Sequence, residues 1–169
     1  MAKFKPLPPL AELQQAFDYD PETGIFLRKQ SRMSTFIGMV AGGQTANGYI
    51  TLSLKNKRLL AHRVAWYLIT EKDPLDMDVE HENQIRNNNR FSNLRLATRS
   101  QNLGNVNRKG YYFNKTKKLF VVRVYKNRKC VYRCLFKREE DARAAYVKKH
   151  AEIHGEFSPY CATLTESNT

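Results

Sequence analysis

Apolar residues recur at helical spacing near the start of the chain, where Leu10, Leu13 and Phe17 mark one face of a short helix over residues 10–17. The residues before it, 3–9, alternate proline with apolar and basic side chains and read as an extended lead-in. Asp18, Pro21 and Gly24 supply turn chemistry, and residues 24–29 alternate enough to predict a strand. Residues 31–44 are weakly patterned, with a turn marked by Gly42 and Gly43. The pattern sharpens over 48–60, where alternation on both sides of Lys55, Asn56 and Lys57 predicts a β-hairpin. Residues 60–69 are apolar nearly all round and predict a buried helix carrying Trp66. His62 and Arg63 on it read as packed or hydrogen-bonded support, with His62 able to lie near a site.

An acidic loop over 71–78, interrupted by Pro74, leads to two short strands at 77–82 and 94–97. Thr98 and Gln101 stand at the spacing of a capping box, so a helix is expected to start there and carry Asn102 in its second turn. Gly104 limits that helix to little more than one turn. The last third is patterned more cleanly. Residues 111–113, 119–125 and 130–136 predict three antiparallel strands, followed by an amphipathic helix over 138–154. Ala142, Ala145, Tyr146, Lys149 and Ile153 mark its inner face, and Gly155 is placed to end it. Residues 158–169 are polar and read as a loose tail.

A chain of 169 residues has room for one ordinary domain or two small ones. No apolar run approaches the length that spans a bilayer, and residues 1–10 lack the apolar core of a secretory signal, so a cytosolic protein is expected. The three cysteines, Cys130, Cys134 and Cys161, contain no CxxC pair, and no structural zinc is expected. On one strand Cys130 and Cys134 would stand roughly 13 Å apart at ~3.3 Å per residue, too far for a disulfide. Charge alters the picture more. The net charge is +13, and residues 108–157 hold 15 Lys and Arg against 5 Asp and Glu. A positive excess gathered in one segment suits a polyanion, because each neutralised phosphate releases condensed counterions.

Candidate chemistry concentrates in residues 79–107. Glu80 precedes His81, asparagines are unusually dense, and Asn102 falls on the capped helix. Composition alone reads as an Asn-rich surface loop. The order of residues suggests a metal ion beside a general base. Hard divalent cations take oxygen ligands, and Mg²⁺ commonly uses only one or two from the protein, which Glu80 and the Asn102 amide can supply. An imidazole with an ordinary pKa near ~6.5 is partly neutral at pH 7 and can take a proton from an attacking water. Neighbours in a regular strand face opposite ways, so Glu80 and His81 converge only at a strand end or bulge.

The segment resembles the HNH, or ββα-metal, nuclease motif in the form found in phage-encoded homing endonucleases. The matching positions are Glu80-His81, Asn89, Asn93-Leu94-Arg95 and Asn102, with Glu80 where that family usually has Asp. Upstream, Tyr19-Asp20-Pro21-Glu22-Thr23-Gly24, Gly48-Tyr49 and Ala61-His62-Arg63 are also similar to these enzymes. The resemblance implies His81 as general base, Asn89 and Asn93 in the catalytic set, and Glu80 and Asn102 as ligands of Mg²⁺ or Mn²⁺. It implies that Asn89 holds the histidine.

Residues 108–157 resemble the AP2 DNA-binding domain, three strands backed by a helix, through Gly110-Tyr111-Tyr112, Phe120-Val121-Val122-Arg123-Val124 and Glu140-Asp141-Ala142-Arg143-Ala144-Ala145-Tyr146. Such domains place the open face of the sheet in the major groove. Strand alternation sets Arg123 and Tyr125 on one face and Phe120, Val122 and Val124 on the other. Lys109, Tyr112, Asn114 and Tyr132 are expected to extend the DNA-contacting face. The expected architecture is α+β: a ββα-metal nuclease core with N-terminal hairpin and helix elements over 1–107, an AP2-like module over 108–157, and a flexible tail over 158–169. The implied function is site-specific, metal-dependent cleavage of double-stranded DNA by a monomer or homodimer, in the bacterial cytoplasm and of phage origin. The alternative is a sequence-specific DNA-binding protein whose nuclease site is weakened or inactive.

Overall fold

The computed structural model describes residues 5–30 and 36–161, so the expectations for residues 3–4, 31–35 and 162–169 lie outside it. The chain forms two compact units, Met1–Ala97 and Thr98–Thr169. Both are mixed α and β with small antiparallel sheets.

In the first unit, α1 (Leu10–Ala16) buries Leu13 and Ala16 and leads directly into β1 (Phe17–Tyr19). β1 pairs antiparallel with β2 (Phe26–Arg28) across the Asp20–Gly24 turn. A three-stranded sheet then forms from β3 (Gly43–Gln44), β4 (Ile50–Leu54) and β5 (Lys57–Leu60). The β4–β5 turn places Lys55 and Asn56 at φ 47° and 61°. Positive φ at both central positions matches the right-handed twist of a tight hairpin. Of the glycines expected as a turn, Gly43 is instead the first residue of β3, paired with Thr51.

Helix α2 (Ala61–Thr70) buries Ala61 to Ala65 in a row, whereas Ile69 is exposed. It therefore departs from the all-round burial that its apolar composition predicts. Its first half is fully buried, beside Leu13, Phe26, Leu52 and Val79, while Trp66, Tyr67 and Leu68 pack against that core only partly buried. Arg63 is buried there and donates to the carbonyls of Met77 (2.8 Å) and Leu75 (2.9 Å). It thereby fixes the backbone that enters β6 (Asp78–His81). β6 pairs antiparallel with β7 (Leu94–Ala97), placing Glu80 opposite Arg95 and His81 opposite Leu94.

The second unit opens with α3 (Arg99–Gly104), so by contacts this helix groups with the C-terminal part of the chain. The capping box is formed: the Gln101 backbone N–H donates to Thr98 Oγ1, and the Gln101 side chain accepts from the Thr98 backbone. β8 (Tyr111–Asn114), β9 (Leu119–Lys126) and β10 (Lys129–Phe136) make a sheet with β9 in the centre. Helix α4 (Glu139–His154) covers one face, burying Ala142, Tyr146, His150 and Ala151 against Val122 and Val124. Three acidic residues in its first turn complement the helix dipole. The expected inner face omitted His150 and Ala151.

The tail is not loose where it begins. Ser158 and Tyr160 are buried, and the Tyr160 hydroxyl donates to Asn107 Oδ1 (2.6 Å) while Arg143 lies over its ring. One aromatic anchor in a polar stretch escapes a compositional reading.

Candidate active site

The asparagines of the β6–β7 connection have distinct places. Asn93 Oδ1 accepts from the backbone of Asn83 (3.1 Å), and its amide nitrogen donates to the carbonyl of Asn88 (2.8 Å). Asn83 Oδ1 in turn accepts from the backbone of Ile85. These amides stitch the loop to itself, and the side-chain bonds of Asn93 stay within that loop.

Asn89 points elsewhere. It is 2% exposed, and its Oδ1 lies 3.1 Å from Nε2 of His81. An amide oxygen can only accept, so Nε2 donates and the lone pair of the neutral imidazole sits on Nδ1. His81 is itself buried. Burial pushes its pKa below the ordinary histidine value, the bond to Asn89 opposes that, and Arg86 adds to the depression. The ring is therefore neutral at pH 7.

The surroundings of His81 come from far away in sequence. His62 meets it edge-on, with ring centroids 4.9 Å apart, and the Tyr49 ring lies 6.0 Å away. Arg86 covers Tyr49 at 5.1 Å and donates to the carbonyl of Asn47. His62 is buried, and its Nδ1 has no hydrogen-bond partner among the described residues. Burial first, then His81 and Arg63, pushes its pKa down to about 3, so it stays uncharged beside His81.

Asn89 is braced from the N-terminal hairpin. The Tyr19 hydroxyl donates to the Asn89 carbonyl at 2.7 Å, and Phe91 N–H donates to the carbonyl of Pro21. Gly24, at φ 74°, sits so close that a Cβ would lie 2.5 Å from both Asn89 C and Arg90 N. Only glycine fits that approach and that backbone. Asp20 holds the turn by accepting from Glu22 N–H and the Thr23 hydroxyl. Thus the stretch from Tyr19 to Gly24, with Tyr49 and His62, frames His81 and Asn89. Their spacing in the sequence carries no signal of this convergence, because the chain's fold creates it.

Glu80 has a different set of partners. It is 4% exposed and accepts from Arg95 Nε at 2.5 Å, while Arg95 Nη1 reaches Glu82 Oε1 at 3.2 Å. The β6–β7 register is regular, with no bulge to turn Glu80 toward the partners of His81. Asn102 lies within α3, its backbone N–H donating to the Thr98 carbonyl. Among the described residues no three His, Cys, Asp or Glu side chains gather into a cluster able to hold a metal. The donor chemistry of Glu80 and Asn102 still suits a hard divalent cation, since both offer oxygen. A cation held by Glu80 would have to share its carboxylate with Arg95.

In the second unit, the face of the sheet away from α4 carries Tyr112, Arg123 and Tyr125. Both tyrosines are exposed, and the Arg123 guanidinium lies 5.4 Å from the Tyr112 ring. Tyr132 is not on that face. A bulge between Cys130 and Tyr132 shifts the register so that Tyr132 pairs with the inward-facing Val124. Its ring packs on the helix side, under Lys149 Nζ at 5.8 Å. Arg133, opposite Arg123, takes the outward place instead. Lys109 pairs with Glu139 at 2.9 Å, and Asn114 Oδ1 caps the following turn by accepting from Lys117 N–H. Both contacts lie on the exposed surface, and Asn114 falls two residues beyond Tyr112 on β8, on the same face of the strand.

Residues 59–103, about a quarter of the chain, match the family model of the HNH endonucleases. The matched segment runs from β5 to α3 and includes the β–β–α order of β6, β7 and α3. No curated protein and no solved structure matches the chain. The family match supports a nuclease acting on DNA.

Proposed function

We propose that this protein is a divalent-metal-dependent, site-specific DNA endonuclease of the homing type. One observation carries the reading. Within the segment that matches HNH endonucleases, a buried neutral imidazole, His81, is fixed through Nε2 by Asn89, leaving Nδ1 as the basic nitrogen. His81 accepts the proton of the water that attacks phosphorus; the P–O3′ or P–O5′ ester bond then breaks. By analogy with the family, the O3′ ester is the one cleaved, and the products are a 3′-hydroxyl and a 5′-phosphate. Asn89 keeps the ring in one tautomer and orientation, and the neutral His62 beside it adds no competing charge. Glu80 and Asn102 would hold Mg²⁺ or Mn²⁺, which would supply neutralisation of charge on the scissile phosphate. Tyr112, Arg123 and Tyr125 on the open sheet face read the duplex, in the manner of an AP2-like module.

A second reading is favoured by the Arg95–Glu80 contact of 2.5 Å, which engages the carboxylate with a guanidinium. In that reading the chain binds DNA at a specific site and cleaves poorly. Supercoiled plasmid incubated with Mg²⁺ or Mn²⁺ separates the two. Nicking supports the endonuclease. Intact plasmid, with Glu80→Asp failing to restore cleavage, leaves the DNA-binding reading.

A further inference from the structure

The second unit contains a cavity of about 410 Å³ at a place where its sheet is incomplete. β8 pairs with β9 only over Leu119 to Val122. Beyond that, no strand among the described residues lies on this edge of β9, although Arg123 N–H still reaches the Gly110 carbonyl at 3.4 Å. Helix α3 closes the far side, where Asn127 N–H donates to Ser100 Oγ at 3.1 Å. Gly104 of α3 lies flat against His154, and a Cβ there would sit 2.6 Å from His154 Nδ1. The helix and the imidazole approach only because the side chain is missing.

The lining is strongly one-signed. Its charge comes from Arg108, Arg123 and Arg128; the imidazoles of His150 and His154 stand beside them, and no carboxylate is among the lining residues. None of these three arginines is in an ion pair among the described residues. Elsewhere in this unit acids are used to balance cations, as Glu139 balances Lys109 and Glu152 balances Lys149. The field of the pocket is felt inside it: burial, then His154 and Arg108, hold the His150 pKa down to about 4. The three guanidinium groups around the pocket repel one another, and an anion between them relieves that repulsion. Guanidinium is the group best matched to phosphate oxygens, through paired N–H donors.

We propose that this pocket is a phosphate-binding site that takes the phosphate group of a nucleotide, with Arg108 and Arg128 as its principal donors. Its volume exceeds what one phosphate fills and lies within the range of small-ligand sites. The remaining space, bounded by Tyr112 and Tyr125, suits the attached sugar or base. The inference deepens the DNA-binding part of the function proposed above and does not depend on cleavage. The phosphate belongs either to the backbone of bound DNA or to a free phosphate ester.

The test follows the histidine ring resonances of the full chain by NMR during titration with inorganic phosphate, and separately with a short duplex. Phosphate is expected to move the His150 and His154 resonances along a saturating curve. Arg108→Gln and Arg128→Gln should each weaken that response about tenfold or more, while Lys137→Gln leaves it unchanged. Arg128 lies on an exposed turn, so its variant stays informative if Arg108→Gln fails to fold. A duplex that moves the same resonances, and loses about 0.9 from its log–log salt slope for each arginine removed, identifies the DNA backbone as the source. A response to phosphate but not to the duplex identifies a free ester. The proposal is overturned if phosphate and duplex both leave the two histidines unmoved. It is also overturned if Arg128→Gln, folded, responds as the parent does.

Discussion

His81 and Asn89 form the smallest unit on which the proposed chemistry rests, and each is held by residues remote in sequence. Removing the Asn89 amide strands a buried imidazole N–H. Asn89→Ala should therefore lower stability by about 1–3 kcal/mol, seen in urea unfolding. It should also slow cleavage on the order of 10²-fold, because the base loses its fixed tautomer and direction. A variant that cleaves at the parental rate would show that the bond to Asn89 does not position the base. Glu80, His81 and the asparagines were legible as candidates because they sit close together in the chain. His62 was readable as able to lie near a site, and Tyr19 and Tyr49 as parts of upstream motifs, but nothing in their spacing indicates that they meet around His81 and Asn89. Arg95 was quoted only as part of a motif, and its hold on Glu80 depends on the register of β6 with β7.

Elements account for what was legible in the fold. The capping box at Thr98 and Gln101 is a local device, readable in four residues, and it forms as expected. Thr98→Ala should cost about 1 kcal/mol, measured by chemical denaturation of the full chain. The β10 bulge was invisible by contrast, because one extra residue, Val131, inverts the facing of Tyr132 without changing the hydrophobic pattern. Arg133→Ala is therefore expected to weaken duplex binding, whereas Tyr132→Phe leaves it unchanged in a gel-shift titration. The reverse result would put Tyr132 back on the DNA side. At the other end of the chain, Gly24→Ala forces a Cβ into the Asn89–Arg90 backbone at 2.5 Å and strains a residue at φ 74°. Loss of both stability and cleavage is expected, with duplex binding retained.

For the whole molecule, charge and pH link the two units to their chemistry. The net charge of +13 predicts binding that weakens steeply with salt, as counterion release requires. Two buried histidines set the acid limit. His150 is held at about 4 and His62 at about 3, against 6.5 in an unfolded chain. As pH falls below about 6.5 the unfolded state takes up protons that the native rings refuse. Stability should thus be full above that pH and decline toward pH 4, with a loss on the order of 2–3 kcal/mol for His150 alone. Thermal melts across that range should flatten in His150→Asn, and an unchanged profile would remove this histidine from the account. The central claim, that His81 is the base of a DNA endonuclease, is tested most directly on supercoiled plasmid with Mg²⁺. The parent should nick it, and folded His81→Ala should nick it at least about 10²-fold more slowly while binding duplex with undiminished affinity. Parental nicking by His81→Ala, or loss of cleavage and binding together, would contradict the claim.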